Sequence, residues 1–175
     1  MRTPLAPASY RTARGDVLVR PVGDGEIDAL LELIRELARY EQALERMTAT
    51  PEALRSALEA TPPSAEAVLA FLEGEIVGYA IIHGSFSSYL GRECLYLEDL
   101  YVRPATRGAG IGKALLAYVA EVTRARNLAR LEWSSLAWNE AAKEFYEALG
   151  AKSEARLMYT LSGEALEKLT DRHRK

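Results

Sequence analysis

The chain has 175 residues, 49% of them hydrophobic, and a formal net charge of −3. That is material for one real core, and the acidic balance leaves no basic footprint for nucleic acid. One cysteine, Cys94, and two distant histidines, His83 and His173, exclude an internal disulfide and a typical zinc site, so no metal is expected. Residues 1–15 hold three arginines and two prolines and read as a flexible N-terminal tail without a secretory pattern. Val17 to Pro21 is a short strand. Asp24 can cap a helix with the apolar face Ile27, Leu30, Leu31, Ile34, Leu37 and Ala38, carrying Tyr40 and Glu41 at its end. Thr50-Pro51 starts a second helix to about Ala60, which Thr61-Pro62-Pro63-Ser64 breaks. Ala67 to Leu72 and Ile76 to Ile82 form a hairpin about Gly74, followed by a polar loop from His83 to Glu93.

Leu95 to Val102 is the next strand, ended by Pro104. Ile111 to Arg126 has helical spacing at Ile111, Leu115, Val119 and Val122. Between them, Arg107-Gly108-Ala109-Gly110-Ile111-Gly112-Lys113 leads a strand into a helix start. The first N–H groups of a helix lack an internal partner and sit in the positive end of its dipole. Glycines let backbone approach a ligand, and Arg107 and Lys113 add charge, so the expected ligand is a phosphate or pyrophosphate. A turn with glycines needed only for geometry is the plain alternative; three glycines within five residues beside two cations fit it poorly. The loop is not a P-loop: Arg107 stands where the first glycine belongs, and Ala114 where the metal-holding hydroxyl belongs. Both registers of the dinucleotide fingerprint also fail, at Lys113 and Leu115. A remote alternative is a nucleotide-binding module using Gly108 to Gly112.

Ala129 to Leu136 is a further strand. Asn139 can cap a helix with Phe145 and Leu149 inward and Gly150 at its end. Arg156 to Leu161 reads as a last strand, and Gly163 to Leu169 as a terminal helix before a charged tail at 171–175. Residues 16–170 therefore form a single α/β domain. No apolar run reaches the ~18 residues of a membrane span. With one cysteine, a reducing cytoplasm is the default location.

Strand alternation puts Tyr96, Glu98, Leu100 and Val102 on one face, and Leu95, Leu97, Asp99 and Tyr101 on the other. A carboxylate in an apolar strand is costly to bury unless satisfied, and an open cleft would explain one on each face. An amine nucleophile would supply a second reason. An ammonium with pKa ~10.4 costs about 4–5 kcal/mol to neutralise at pH 7, and a carboxylate can take its proton directly or through water. Glu98 is the candidate base or amine anchor; Asp99 reads as a possible structural partner of an arginine. Asn139 and Tyr146, seven apart, share a helix face. Taken alone they are a helix cap and a core aromatic.

Arg107, Gly110 and Gly112 fit [Q/R]-x-x-G-x-[G/A], which resembles the acetyl-CoA pyrophosphate loop of the GNAT superfamily of N-acetyltransferases. Nearly all of the chain after residue 16 supports the resemblance, including Trp138 to Ala151, W-N-E-x-x-x-x-F-Y-x-x-x-G-A. The resemblance implies a mixed, mostly antiparallel sheet in which the 95–102 strand bulges and splays from the next, opening a V-shaped cleft. Pantetheine then lies along Leu100, Tyr101 and Val102, whose N–H groups face it and the acetyl carbonyl. Arg107, Gly108, Ala109, Gly110, Ile111, Gly112 and Lys113 hold the pyrophosphate, Asn139 contacts the cofactor, and Tyr146 protonates the departing thiolate. Transfer is direct, since Cys94 lies before the strand. Arg20-Pro21, Glu36 to Glu41 and Leu95 to Asp99 look like the spermidine/spermine N-acetyltransferase branch, which includes thialysine acetyltransferases. In that branch Tyr40, Glu41 and Glu98 would line a site for a small cationic amine, and a homodimer is usual. The short Gly150 to Arg156 segment departs from the polyamine pattern. Acetylation of an amino acid, an aminoglycoside or a protein amine, and a CoA-binding regulator without turnover, are the alternatives.

Overall fold

Six strands line up in one sheet in chain order. β1 (Ala8–Thr12), β2 (Gly15–Pro21), β3 (Glu66–Leu72), β4 (Glu75–Ser87) and β5 (Arg92–Val102) pair antiparallel, and β6 (Leu131–Trp133) runs parallel to β5. This is the mixed, mostly antiparallel α/β architecture expected. The computed structural model describes residues 3–171, which fall into two units dividing between Ser134 and Ser135.

In the first unit the core has two layers of helix about the sheet. α1 (Ile27–Tyr40) buries Ile27, Leu30 and Leu31 as its sequence predicts; Leu33, outside the expected face, is buried too, while Ile34 and Leu37 are partly buried against the core. Leu30 and Leu33 meet Leu69, Tyr79, Ile81 and Tyr101. The other face of β4 carries Gly78, where a side chain would run into the Tyr101 carbonyl at 2.5 Å and meet Leu115 of α3 (Ile111–Ala125) at 3.4 Å. α3 also buries Ile111, Ala114, Leu116, Tyr118 and Val119. Each fully buried side chain of this size contributes about 1.5–3 kcal/mol, so Leu30→Ala or Leu115→Ala would cost about 2–5 kcal/mol once the cavity is counted. α2 (Pro51–Glu59) starts as its sequence predicts, with Thr50 Oγ1 accepting from the Ala53 N–H at 3.2 Å. The start of α1 differs: Glu26, not Asp24, does the capping. Its Oε2 accepts from the Gly23 N–H at 2.8 Å while Arg20 holds both its oxygens at 2.6 and 2.7 Å.

Four further sequence expectations change in the first unit. Within the supposed tail, Ala8–Thr12 forms β1, because Ala8, Tyr10 and Thr12 alternate inward on an edge strand whose ladder β2 completes. The loop expected at 83–93 is instead a continuation of the β4–β5 hairpin, which pairs out to Ser87 and Arg92. Cys94 therefore lies inside β5, buried, rather than ahead of it. β6 keeps only three residues of the strand expected at 129–136.

The second unit holds α4 (Glu140–Ala148) and α5 (Gly163–Asp171). The strand expected at 156–161 is not formed: residues 151–162 have no regular structure, and Leu157, Met158 and Tyr159 are 81%, 80% and 87% exposed. A strand needs a neighbour for its ladder, and the described residues of this unit contain no strand. Of the charged tail expected at 171–175, the part from 172 on, with His173, lies outside the described residues.

Candidate active site

The segment between β5 and α3 is built from a short 3-10 turn and two left-handed glycines. Pro104–Thr106 forms the turn, closed by the Thr106 and Arg107 N–H groups on Arg103 and Pro104 carbonyls at 3.0 and 3.2 Å. Gly108 has φ 76° and Gly110 φ 92°. Gly110 is also the residue from which α3 begins, its carbonyl accepting from the Ala114 N–H at 3.0 Å. A side chain there would meet the left-handed penalty of about 1–2 kcal/mol. The helix start thus opens with backbone donors from Ile111, Gly112 and Lys113, and Lys113 is exposed beside them.

The loop is also held from behind. The Ala13 N–H donates to the Ala109 carbonyl at 3.2 Å, and Arg14 Nη1 donates to the Ala105 carbonyl at 2.9 Å. Both donors sit in the turn between β1 and β2, so the N-terminal hairpin braces the loop.

Arg107 lies against the end of β5 and the end of α1. Its Nε donates to the Val102 carbonyl at 2.9 Å, and its guanidinium lies 4.8 Å from the ring centre of Tyr40 and 5.7 Å from that of Tyr101. The expected phosphate-loop arginine and the expected acceptor-site tyrosine are therefore neighbours. Behind them Arg103 grips Glu36 at 2.9–3.2 Å, and the Tyr101 hydroxyl donates to the same carboxylate at 3.2 Å. Sequence reasoning assigned no role to the Glu36–Arg103 pair, although Arg103 immediately precedes the strand-ending Pro104.

β5 loses its neighbour on one side at its midpoint. It pairs with β6 at Leu95, Tyr96 and Leu97 and no further. From Glu98 to Val102, which includes Leu100 and Tyr101, that side carries no strand among the described residues, while β4 pairs with the other side.

Across from this gap in the ladder, β5 bulges. Leu97 pairs with Ile82 and Asp99 with Ile81, so Glu98 is the extra residue. Simple alternation had put Glu98 and Asp99 on opposite faces; the bulge corrects that. Tyr79, Ile81 and His83 alternate onto the α1 side of β4. Asp99 accepts from the Tyr79 hydroxyl at 3.0 Å, and Glu98 Oε2 lies 3.4 Å from His83 Nε2. Both carboxylates thus turn to the same side as α1. Asp99 is not the partner of an arginine, as its sequence context suggested, but of a tyrosine. His83, expected to be unremarkable, stands beside Glu98 and packs its ring 5.1 Å from Tyr96.

The electrostatics follow from burial. Asp99 is pushed up to about 6, chiefly by desolvation, with Glu98 and Glu41 adding repulsion and the Tyr79 hydrogen bond pulling the other way. Burial also raises Glu41, the residue closing α1. Tyr79 is driven far above its ordinary value by burial and by Asp99, so it stays a hydrogen-bond donor. Tyr40, Glu41, Glu98 and Asp99 thereby form an acidic, aromatic-edged patch on the α1 face. In the second unit, Asn139 Oδ1 accepts from the Ala142 N–H at 3.2 Å as a helix cap. Tyr146 is pushed up to about 12 by burial, with the Phe145 ring 5.2 Å away. Among the described residues no group of three or more His, Cys, Asp and Glu is placed to hold a metal ion, and no helix is long and apolar enough to cross a membrane.

Comparison with known proteins agrees with this geometry. Residues 27–151 match the acetyltransferase (GNAT) family. The thialysine N-epsilon-acetyltransferase of Bos taurus is 35% identical over 165 residues, a match covering 87% of this chain and 96% of that protein. The protein of the same description from Caenorhabditis elegans is 31% identical over 148 residues, covering 82% and 91%. Among solved structures, the Vibrio cholerae integron cassette protein VCH_CASS6 superposes with a TM-score of 0.71 at 25% identity, covering 88% of this chain and 97% of that one. On this match over residues 27–151 and these identities, the chain belongs to the GNAT family of N-acetyltransferases.

Proposed function

We propose that the protein moves acetyl from acetyl-CoA directly to a primary amine of a small cationic acceptor, thialysine-like or a polyamine, in a ternary complex. The observation that carries this reading is the convergence of Glu41, Glu98 and Asp99 on one face of the sheet, beside the stretch of β5 that lacks a β6 partner. Three carboxylates brought together repel one another unless a cation joins them, and an amine acceptor is such a cation. Tyr40 supplies an aromatic edge to this patch, with the Arg107 guanidinium 4.8 Å from its ring centre.

The unpaired stretch of β5 suits a pantetheine arm running beside Leu100, Tyr101 and Val102. The helix start at Ile111, Gly112 and Lys113, with Gly108, Ala109 and Gly110 before it, suits a diphosphate. Acetyl-CoA supplies an activated thioester carbonyl. The chain supplies backbone donors to that carbonyl's oxygen and carboxylates for the amine's proton. Tyr146 is proposed as the acid for the leaving thiolate; its buried hydroxyl carries a proton at neutral pH, and burial makes it a weaker donor than a free tyrosine. Asn139 is proposed as a cofactor contact in addition to capping α4. Cys94, buried in β5, has no role as a nucleophile in this reading. The proposal extends to a homodimer, for which the exposed Leu157, Met158 and Tyr159 supply apolar surface, and to a cytoplasmic location.

The test is a panel of thialysine, lysine, spermidine, spermine and aminoglycosides with acetyl-CoA, read by free-thiol release. Thialysine or a polyamine is expected to lead. Turnover confined to the aminoglycosides, or thiol release with none of these amines, would overturn the reading.

A further inference from the structure

We propose that Asp99, held in place by Tyr79, is the group that takes the proton from the acceptor ammonium, while Glu98 anchors the charge. The inference rests on the amine-acetyltransferase reading above and assigns the labour within it.

The bulge is the starting point. It places two successive carboxylates on one side of β5 and gives them different surroundings. Glu98 is exposed, its side chain 58% open to water, and His83 Nε2 approaches its Oε2 only at a long 3.4 Å. A carboxylate so placed can attract a cation but competes with water for every proton. Asp99 is half-buried, and its Oδ2 is fixed by the Tyr79 hydroxyl at 3.0 Å. Tyr79 itself is fully buried among Leu33, Leu69 and Tyr101, so it cannot drift from that position. One hydrogen bond uses one of about four lone-pair sites on a carboxylate, leaving capacity for an ammonium N–H.

The groups facing Asp99 are Tyr79 from β4, Glu98 from β5 and Glu41 from the end of α1, with Tyr101 and His83 next to Tyr79 and Glu98 in turn. Two of the three are acids. They make a proton on Asp99 welcome and hold a cation nearby. A value close to working pH is what a general base needs. The proton balance is simple. The ammonium gives one proton to the Asp99 carboxylate and becomes a neutral amine. Its nitrogen then bonds to the acetyl carbon as the carbon–sulfur bond breaks. The sulfur leaves with the proton of Tyr146, the acid proposed above, and the second nitrogen proton restores that hydroxyl, giving an amide, free CoA thiol and protonated Asp99, which returns its proton to water.

The experiment is the pH profile of kcat/KM with thialysine as the probe, for the wild type, Asp99→Asn, Tyr79→Phe and Glu98→Gln. A base must be ionised, so activity should fall as pH drops through about 6. Tyr79→Phe removes the donor that holds Asp99 down, so the acid limb should move up by about half to one unit. Asp99→Asn should lower kcat about a hundredfold with little change in KM, whereas Glu98→Gln should act mainly on KM. A purely structural Tyr79–Asp99 pair would change thermal stability and leave the limb where it is. A limb unmoved in Tyr79→Phe, or wild-type kcat in Asp99→Asn, overturns the assignment while acetyl transfer stands. Failure of the wild type to release thiol with any amine would instead take down both readings.

Discussion

The glycine turn at 107–112 and the β5 bulge at 97–99 lie a few residues apart and work in opposite ways. The turn presents backbone. Its donors are N–H groups that do not titrate, oriented by Gly108 and Gly110 in the left-handed region and braced by Ala13 and Arg14. The bulge presents side chains. Its groups are carboxylates, and their charge depends on burial and on one another. A ligand that is always anionic is matched by the first kind of site, and a ligand that must lose a proton by the second.

If that contrast is right, the two regions should fail separately. The largest effect is expected in stability at the bulge. Asp99 binds its proton more tightly in the folded chain than in an unfolded one, where a carboxylate keeps its ordinary value of ~3.9. The folded state therefore holds full stability from this group below that value and loses it as pH rises to about 6. Asp99→Asn removes the loss. The variant should be more stable than the wild type by up to about 3 kcal/mol above pH 7, with the gap closing below pH ~4, as followed by urea unfolding across pH. A gap of constant size would mean that Asp99 is not buried as a charge.

A smaller effect is expected at the turn. Gly110→Val forces a branched side chain to φ 92°, which costs about 1–2 kcal/mol. The acetyl-CoA KM should rise about tenfold, with no movement of the pH profile or of the acceptor KM. Smallest of all, Glu41→Gln should raise the acceptor KM about two- to fivefold, since a partly exposed ion pair is worth up to about 1 kcal/mol, and leave the acetyl-CoA KM alone. An effect of Glu41→Gln on the cofactor would join the two regions and break the comparison.

The same contrast explains what could be read in advance. Residue spacing showed the α1 and α3 faces, the Thr50 cap and the glycine turn because each depends on neighbours within a few positions. The bulge depends on how Ile81 and Ile82 of β4 register against β5; the family resemblance implied it, but the residues at 95–102 do not by themselves announce it. The Tyr79–Asp99 bond spans twenty positions and was invisible for the same reason. β1 reads as a tail from sequence alone because an edge strand needs few apolar residues when its partner completes the ladder. The error at 156–161 ran the other way: an apolar, branched run looked like a strand without a neighbour to pair with.

The bracing of the glycine turn has a practical side. The family match spans 27–151, and trimming the protein to that window would discard both Ala13 and Arg14, together with the whole of β1 and β2. Such a fragment would keep every residue assigned to chemistry yet lose the scaffold behind its anion cradle. Shortened versions made for crystallisation or screening should therefore begin ahead of Ala8.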